Sequence, residues 1–425
     1  MSDAQSPLPL GGGQGAGATP PKEEARLLDA GARGETAQAE KGQSARLVLL
    51  ACCATHLVTD GLNSAIYPLL PLIALDLQLS YTAVGSLRTA LIASTSTLQI
   101  PVGYLADWIP EVTLLGAGML WMSVGFAAMA LATGFWHLLL IVVGAGIGGN
   151  VQHPIATAIV SKVYEGKGRG TAVSSLNFAG DVGKAILPTV AGLIAIAYGW
   201  RGAMLALGVL GTAASLAYFL VVRRASAGAE RQKSSRNGAK GWGIQKRWAF
   251  SLLTTMGIID NSTRVGVLTF LPFLMTDKGL DAAGVSFLLT LLFASGAAGK
   301  LGCGFLADRF GNVGVIVITE AITALAIVTA IPVGPLMLIP VVFALGFVGN
   351  GTSSALYSAV AEMVHVERRA RGYGLFYTLT LGVGVLAPLF YGALSDAAGI
   401  PVAFVAMALL TLATLPMAVA MGRQR

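Results

Sequence analysis

Apolar residues run along this chain in stretches far longer than the buried helices of a soluble protein require. A helix that crosses a bilayer needs about 20 mostly apolar residues. Stretches of that kind occupy 46–75, 81–105, 112–133, 136–160, 169–198 and 202–222. A polar interval follows, carrying Arg223, Arg224, Arg231, Lys233, Arg236, Lys240, Lys246 and Arg247. Apolar stretches resume at 248–276, 281–306, 313–333, 335–362, 370–396 and 401–421. The pattern predicts an all-α polytopic membrane protein of twelve transmembrane helices, numbered here as spans 1 to 12 in chain order.

The spans group into two six-helix bundles, 46–222 and 248–421, joined by a basic cytoplasmic linker at 223–247. Residues 1–45 are rich in Gly, Ala, Pro, Gln and Glu. With so few large apolar side chains they are expected to form a disordered cytoplasmic tail. A short cytoplasmic tail, 422–425, closes the chain.

The two bundles repeat one another. Gly103-Tyr-Leu-Ala-Asp107 returns as Gly304-Phe-Leu-Ala-Asp308, an offset of 201 residues, and Pro71 returns as Pro272 at the same offset. Gly149-Asn150, Pro188 and Gly192 return as Gly349-Asn350, Pro388 and Gly392, an offset of 200. A duplicated six-helix unit is the plan of alternating-access transporters.

Composition agrees. Hydrophobic residues make up 55% of the chain and charged ones 12%, about half the share usual in soluble domains. The net charge of +7 does not point to nucleic acid, because the basic residues sit between apolar stretches. There they suit cytoplasmic loops and the anionic inner leaflet of the lipid bilayer. With the N-terminus inside, 22 of the 28 Lys and Arg fall in the tails and inner loops, and only Arg201 and Lys278 fall outside. Both termini are therefore expected in the cytoplasm, with the chain in the cell inner membrane. Cys52, Cys53 and Cys303 lie within apolar runs and read as small buried residues. No metal, cofactor or catalytic residue is expected, and the chain is expected to act as a monomer.

Two glycine patterns need separating. Gly144-Ala-Gly146-Ile-Gly-Gly149 has dinucleotide-loop spacing, but it lies inside one continuous span, where small residues serve helix packing. The paired Gly-x-x-x-Asp loops, between spans 2 and 3 and between spans 8 and 9, are more informative. Glycine there permits close helix approach, and Asp at a helix end accepts charge-assisted bonds that form and break as the halves rock.

These loops resemble the signature of the major facilitator superfamily, G-x-x-x-D-R/K-x-G. The second copy continues as Asp308-Arg309-Phe-Gly311; the first continues as Asp107-Trp108-Ile109-Pro110 and lacks both the Arg and the second Gly. The resemblance marks Gly103, Asp107, Gly304, Asp308, Arg309 and Gly311 as conformational gating residues. His56-Leu-Val-Thr-Asp60 and Tyr67-Pro68-Leu-Leu-Pro71 in span 1, with Gly148-Gly-Asn150-Val-Gln-His153-Pro154 in span 4, are similar to the fosmidomycin-resistance branch, which are drug exporters. Span 4 carries no Arg of the drug/proton antiporter kind. In span 5, Leu187 stands where the antiporter signature has Gly before its Pro.

Charge inside a membrane is the sharpest pointer to function. Each Asp, Lys or Arg at a helix centre costs roughly 2.5–3.5 kcal/mol on insertion scales. Asp60, Asp181, Lys184, Asp260 and Arg264 all lie near mid-span. His56 with Asp60, Asp181 with Lys184, and Asp260 with Arg264 are spaced to touch along one helix face. They read either as self-neutralising pairs or as the lining of a polar cavity. The superfamily resemblance places spans 1, 5 and 7 around such a cavity. Asn150, His153 and Asn350 join these as candidates for the substrate and proton pathway. His153 could equally cap carbonyls freed by Pro154. Arg88 and Lys300 lie nearer the span ends, where long side chains snorkel. Glu320 and Glu362 carry no assignment.

The expected function is secondary active transport of a small molecule by alternating access, with proton-coupled efflux by antiport favoured. The alternatives are proton-coupled uptake of a small organic anion by symport, and a non-transporting membrane sensor or scaffold.

Overall fold

Three of the helix breaks in this chain lie four residues before a proline, although Pro68, Pro71, Pro188, Pro272 and Pro340 sit inside continuous helices. Proline has no N–H to donate, and its ring clashes with the carbonyl four residues earlier. Pro154 lies four residues after Asn150, where span 4 divides into helices Phe135–Gly149 and Gln152–Val163. Pro388 follows Gly384, where span 11 divides into Arg369–Gly384 and Ala387–Ala398. Pro416 follows Leu412, where span 12 divides into Ile400–Leu412 and Thr414–Gly422.

A computed structural model describes residues 22–96, 101–102, 105, 108–164, 168–225, 242–365 and 369–423. The remaining helices are Lys22–Asp76, Tyr81–Ser96, Glu111–Met129, Arg169–Ala225, Arg247–Asp277, Ala282–Phe310, Asn312–Ala330 and Pro335–Met363. Over its described residues, each predicted span is mostly helical. Spans 5 and 6 share Arg169–Ala225, which turns at Gly199. There φ is +68°, a left-handed value open to glycine. Among the described residues, nine segments are long and apolar enough to cross a membrane. Large apolar side chains such as Leu140, Leu193, Leu325 and Leu409 stand exposed on the outside, as a lipid-facing surface requires.

The first helix begins at Lys22, within the segment expected as a tail. Its Ala, Glu, Lys and Arg content favours helix even without an apolar face. Residues 1–21, and most of the linker at 226–241, lie outside the described residues.

The buried core shows how the two halves meet. One cluster, with Cys52, Leu115, Ile155, Leu176 and Tyr218, belongs to the first half alone. A second, with Phe250, Ile316, Leu356 and Phe376, belongs to the second half alone. A third runs through both halves, joining Leu62, Leu70 and Met204 to Phe270, Leu289 and Phe404. The two separate clusters occupy the ends of the spans nearest the 223–247 linker. The shared cluster occupies the opposite end. The halves are thus fused at one end and parted at the other.

Repeated small residues make the fusion. A Cβ on Gly192 of span 5 would collide with Ser286 of span 8, and a Cβ on Gly392 of span 11 would collide with the Tyr81 backbone of span 2. The two members of one sequence repeat therefore serve pseudo-symmetric crossings. Thr189 and Thr290 share a 2.6 Å hydrogen bond across the first crossing. Thr89 donates to the Val385 carbonyl at 2.9 Å across the second.

Candidate functional site

Spans 1 and 5 approach closely because span 5 carries glycine at the contact. A Cβ on Gly183 would overlap the Leu57 carbonyl, and one on Gly180 would lie 2.8 Å from Asp60 Oδ2 and His56 Nε2. This approach delivers Lys184 to Asp60, with Nζ 2.8 Å from Oδ2. His56 Nε2 lies 3.4 Å from the same oxygen, and His153 Nε2 lies 3.6 Å from Oδ1. The imidazoles meet edge to face, with centroids 5.0 Å apart. Asp60 is sealed, its side chain 5% exposed, while the His153 side chain is 56% exposed. Gln152 fixes this turn of span 4 against span 1 through Thr55 and Thr59.

The network continues into the other half. Lys184 Nζ also lies 3.3 Å from Asp181 Oδ1. Asp181 in turn accepts from Lys300 of span 8 at 2.8 and 2.9 Å. His56, Asp60, His153, Lys184, Asp181 and Lys300 thus form one connected group, and only its same-helix contacts were implied by sequence spacing.

All of these but His56 line a cavity of about 400 Å³ between the halves, bounded by spans 1, 2, 4, 5, 7, 8 and 10. Its wall carries four cations, Arg88, Lys184, Arg264 and Lys300, against two carboxylates, Asp60 and Asp181. The two lysines are spoken for by the two carboxylates. The two arginines are not. Arg88 does not snorkel: it is buried, its Nη2 donates to the Tyr67 hydroxyl at 2.6 Å, and its guanidinium carbon lies 4.1 Å from the Tyr67 ring centroid. Its Nε and Nη1 are buried and have no hydrogen-bond partner. Arg264 also departs from expectation. Rather than pairing with Asp260 one turn away, it donates from Nη2 to Asn261 Oδ1 at 3.1 Å. The neighbouring Asn261 offers a nearer acceptor on the same helix.

Of the other candidates, Asn350 lines the cavity wall. Asn150 is fully buried, donating to the Ser94 carbonyl and to Gly146 O at 3.3 Å, and serves the packing of span 4 against span 2. Gly103 and Asp107 lie outside the described residues. In the second loop, a Cβ on Gly304 would meet nothing within 4 Å among the described residues. The helix runs through Asp308 and ends at Phe310. Arg309 stacks its guanidinium carbon 5.6 Å from the Phe310 ring. Gly311, with φ +78°, makes the turn into Asn312–Ala330, a conformation that explains a glycine at this motif position.

His56, Asp60 and His153 present ligand atoms within 4.8 Å of one another, a spacing that also suits a metal ion. The cation that Asp60 faces in this arrangement, however, is the Lys184 ammonium. Arg88, Tyr67, Lys300 and Gly180 are the site residues that sequence reasoning left out.

A helical membrane protein with halves joined at one end around a charged cavity is built as a transporter. A sequence profile of the Major Facilitator Superfamily matches residues 52–262 and 250–424, and the chain belongs to that superfamily of secondary transporters. It is 28% identical over 381 residues to an uncharacterized MFS-type transporter, YfnC, of Bacillus subtilis (strain 168), covering 86% of this chain and 90% of the relative. It is 26% identical over 252 residues to a probable L-galactonate transporter of Escherichia coli (strain K12), covering 55% of each. It is 30% identical over 166 residues to the fosmidomycin resistance protein of Escherichia coli (strain K12), covering 39% of this chain and 41% of that protein. In fold it matches a bacterial homologue of the human lysosomal transporter Spinster, in an inward-facing and occupied conformation. The TM-score is 0.75 at 19% identity, covering 89% of this chain and 97% of that one.

Proposed function

We propose that this protein takes up a small organic anion, bearing a carboxylate or phosphonate, in symport with protons. The observation that carries this reading is the cavity wall, with four cations against two carboxylates and two guanidiniums lacking an acid partner within it. Arg88 is buried with no acid beside it among its bonded partners, and an uncompensated buried cation is costly. An anionic substrate offsets that cost, and a planar guanidinium suits its oxygens.

The pairing of Asp60 with Lys184 supplies the coupling. Ionised Asp60 occupies Lys184 at 2.8 Å. A proton on Asp60 breaks that pair and frees the ammonium for the substrate. Proton and anion then favour one another's binding, which is symport by linkage. His153, open to the cavity, and His56, behind it, flank Asp60 within reach of a proton passed to or from its carboxylate. The Lys and Arg distribution supports a cytoplasmic linker and termini, and in that orientation the cavity opens inward. We read the loops at Gly103–Asp107 and Gly304–Gly311 as the gating elements on that face, with a single chain as the working unit in the inner membrane.

The relatives' names are compatible with an anion, since galactonate is a carboxylate and fosmidomycin a phosphonate. The likeness to a resistance protein favours a second reading, proton-coupled efflux by antiport. The sign of the driving gradient separates the two. Proteoliposomes are given labelled L-galactonate or fosmidomycin with the outside acidic or the inside acidic. Symport predicts accumulation with acid outside, and antiport predicts it with acid inside. Transport that only equilibrates under both gradients contradicts proton coupling altogether.

A further inference from the structure

Behind Arg264, away from the main cavity, lies a small enclosed space of about 30 Å³ lined by Asp260, Thr263, Arg264, Glu320, Thr323, Asn350 and Thr411. About 10–15 Å³ suffices for one water, so it is roomy enough for a bridging water. Glu320 of span 9 is 1% exposed, and its Oε1 has no hydrogen-bond partner. The Thr323 hydroxyl one turn on is likewise buried and unpartnered. Asp260 of span 7 is also buried. Two carboxyls and one guanidinium thus share one small pocket.

The charges there do not balance if both acids ionise. Glu320, Asp260 and Arg264 line the same small space. Tyr357 of span 10 and Lys300 of span 8 line the main cavity beside Arg264. Among the described residues, Arg264 is the one Lys or Arg in the lining of the small space. Two like charges close together in a low dielectric cannot both persist, and a proton shared between them is the cheaper state.

We propose that Asp260 and Glu320 hold one proton between them at neutral pH, forming a second proton-binding site in the second half that Arg264 links to the cavity. Arg264 lines both spaces. With one proton the pair keeps a single negative charge facing Arg264. Any anion that engages Arg264 from the cavity weakens that hold and favours a second proton on the pair. This last consequence rests on the anionic substrate proposed above; the proton site itself does not.

The test needs no substrate. Purified full-length protein in lipid nanodiscs is followed at pH 7 by infrared spectroscopy of the carbonyl stretch of protonated carboxyl groups. Wild-type protein and Asp60→Asn should show the band. Glu320→Gln and Asp260→Asn should each lose it, because the remaining acid ionises against Arg264. Arg264→Gln should increase it about twofold, because the second acid then takes a proton. Size-exclusion profiles and helical content confirm that each variant is folded, and a variant that fails to fold leaves the decision to the other two. Absence of the band in wild type overturns the proposal, and so does its loss in only one of the two acid variants. An unchanged band in Arg264→Gln overturns the link to the cavity.

Discussion

Asp396 of span 11 caps the first turn of span 2 in the opposite half, and Thr82 is its main partner. The Thr82 N–H and hydroxyl donate to Oδ2 at 2.8 and 2.5 Å, and the Tyr81 N–H donates to Oδ1 at 2.8 Å. A carboxylate at a helix N-terminus satisfies donors that the helix itself leaves open, and it complements the helix dipole. Because donor and acceptor belong to different halves, this contact exists only while the fused end is closed.

Asp396→Ala should therefore shift the protein toward the state open at that end. Losing a partly exposed, charge-assisted contact of this kind costs about 1.4 kcal/mol, a tenfold change in the equilibrium. Cysteines placed near Tyr81 and labelled with an impermeant maleimide should react several-fold faster in the variant. Unchanged labelling would show that the contact does not hold the closed state.

Gly180 tests the packing that seats Asp60. A methyl group there would lie 2.8 Å from Asp60 Oδ2 and His56 Nε2. Both are side-chain ends, so the helices can stay packed while the acid is pushed aside. Gly180→Ala should yield folded protein with transport reduced roughly ten-fold or more, the scale of a displacement costing about 1.4 kcal/mol. Wild-type rates in that variant would mean the geometry around Asp60 is not critical.

Arg88 tests how the cavity reads its substrate. Two of its N–H positions are buried without partners, and a hydrogen bond to a charged group contributes about 1.5–3 kcal/mol. Arg88→Gln should raise the KM for an anionic substrate about ten- to a hundred-fold. Arg88→Lys should recover only part of that loss, because an ammonium lacks the planar fork. Equal KM values in all three proteins would restrict Arg88 to holding Tyr67.

Much of this was legible in the sequence. Span length marks the helices, because bilayer thickness sets the apolar stretch a crossing helix needs. The breaks do not follow from proline alone, since Pro68, Pro188, Pro272 and Pro340 lie in continuous helices. His56 with Asp60, and Asp181 with Lys184, followed from helical spacing. The links Lys184 to Asp60 and Lys300 to Asp181 did not, because spacing along one helix says nothing about which neighbour packs beside it. Depth misled for Arg88, which sits near a span end yet turns inward onto Tyr67. Spacing misled for Arg264, which bonds Asn261 instead of Asp260. Asn150 shows that a polar residue within a span can donate to backbone carbonyls and serve packing.

Orientation is open to a direct check. The excess of Lys and Arg in one set of loops predicts that a reporter fused after Arg425, or inserted near Ser234, shows cytoplasmic activity. Periplasmic activity at either site would reverse the assignment of inner and outer ends, and the cavity would then open outward.

The central claim is that Asp60 exchanges the transported proton while Lys184 exchanges between Asp60 and the substrate. Asp60→Asn keeps the size of the side chain and removes its charge, which imitates a permanently protonated acid. In proteoliposomes, its accumulation of labelled anion under an acid-outside gradient should fall to the level of empty vesicles. Counterflow exchange of the same anion should stay within about three-fold of wild type, because exchange needs no net proton movement and differs by under about 1 kcal/mol. Gradient-driven accumulation at the wild-type level by a folded Asp60→Asn protein would contradict the account.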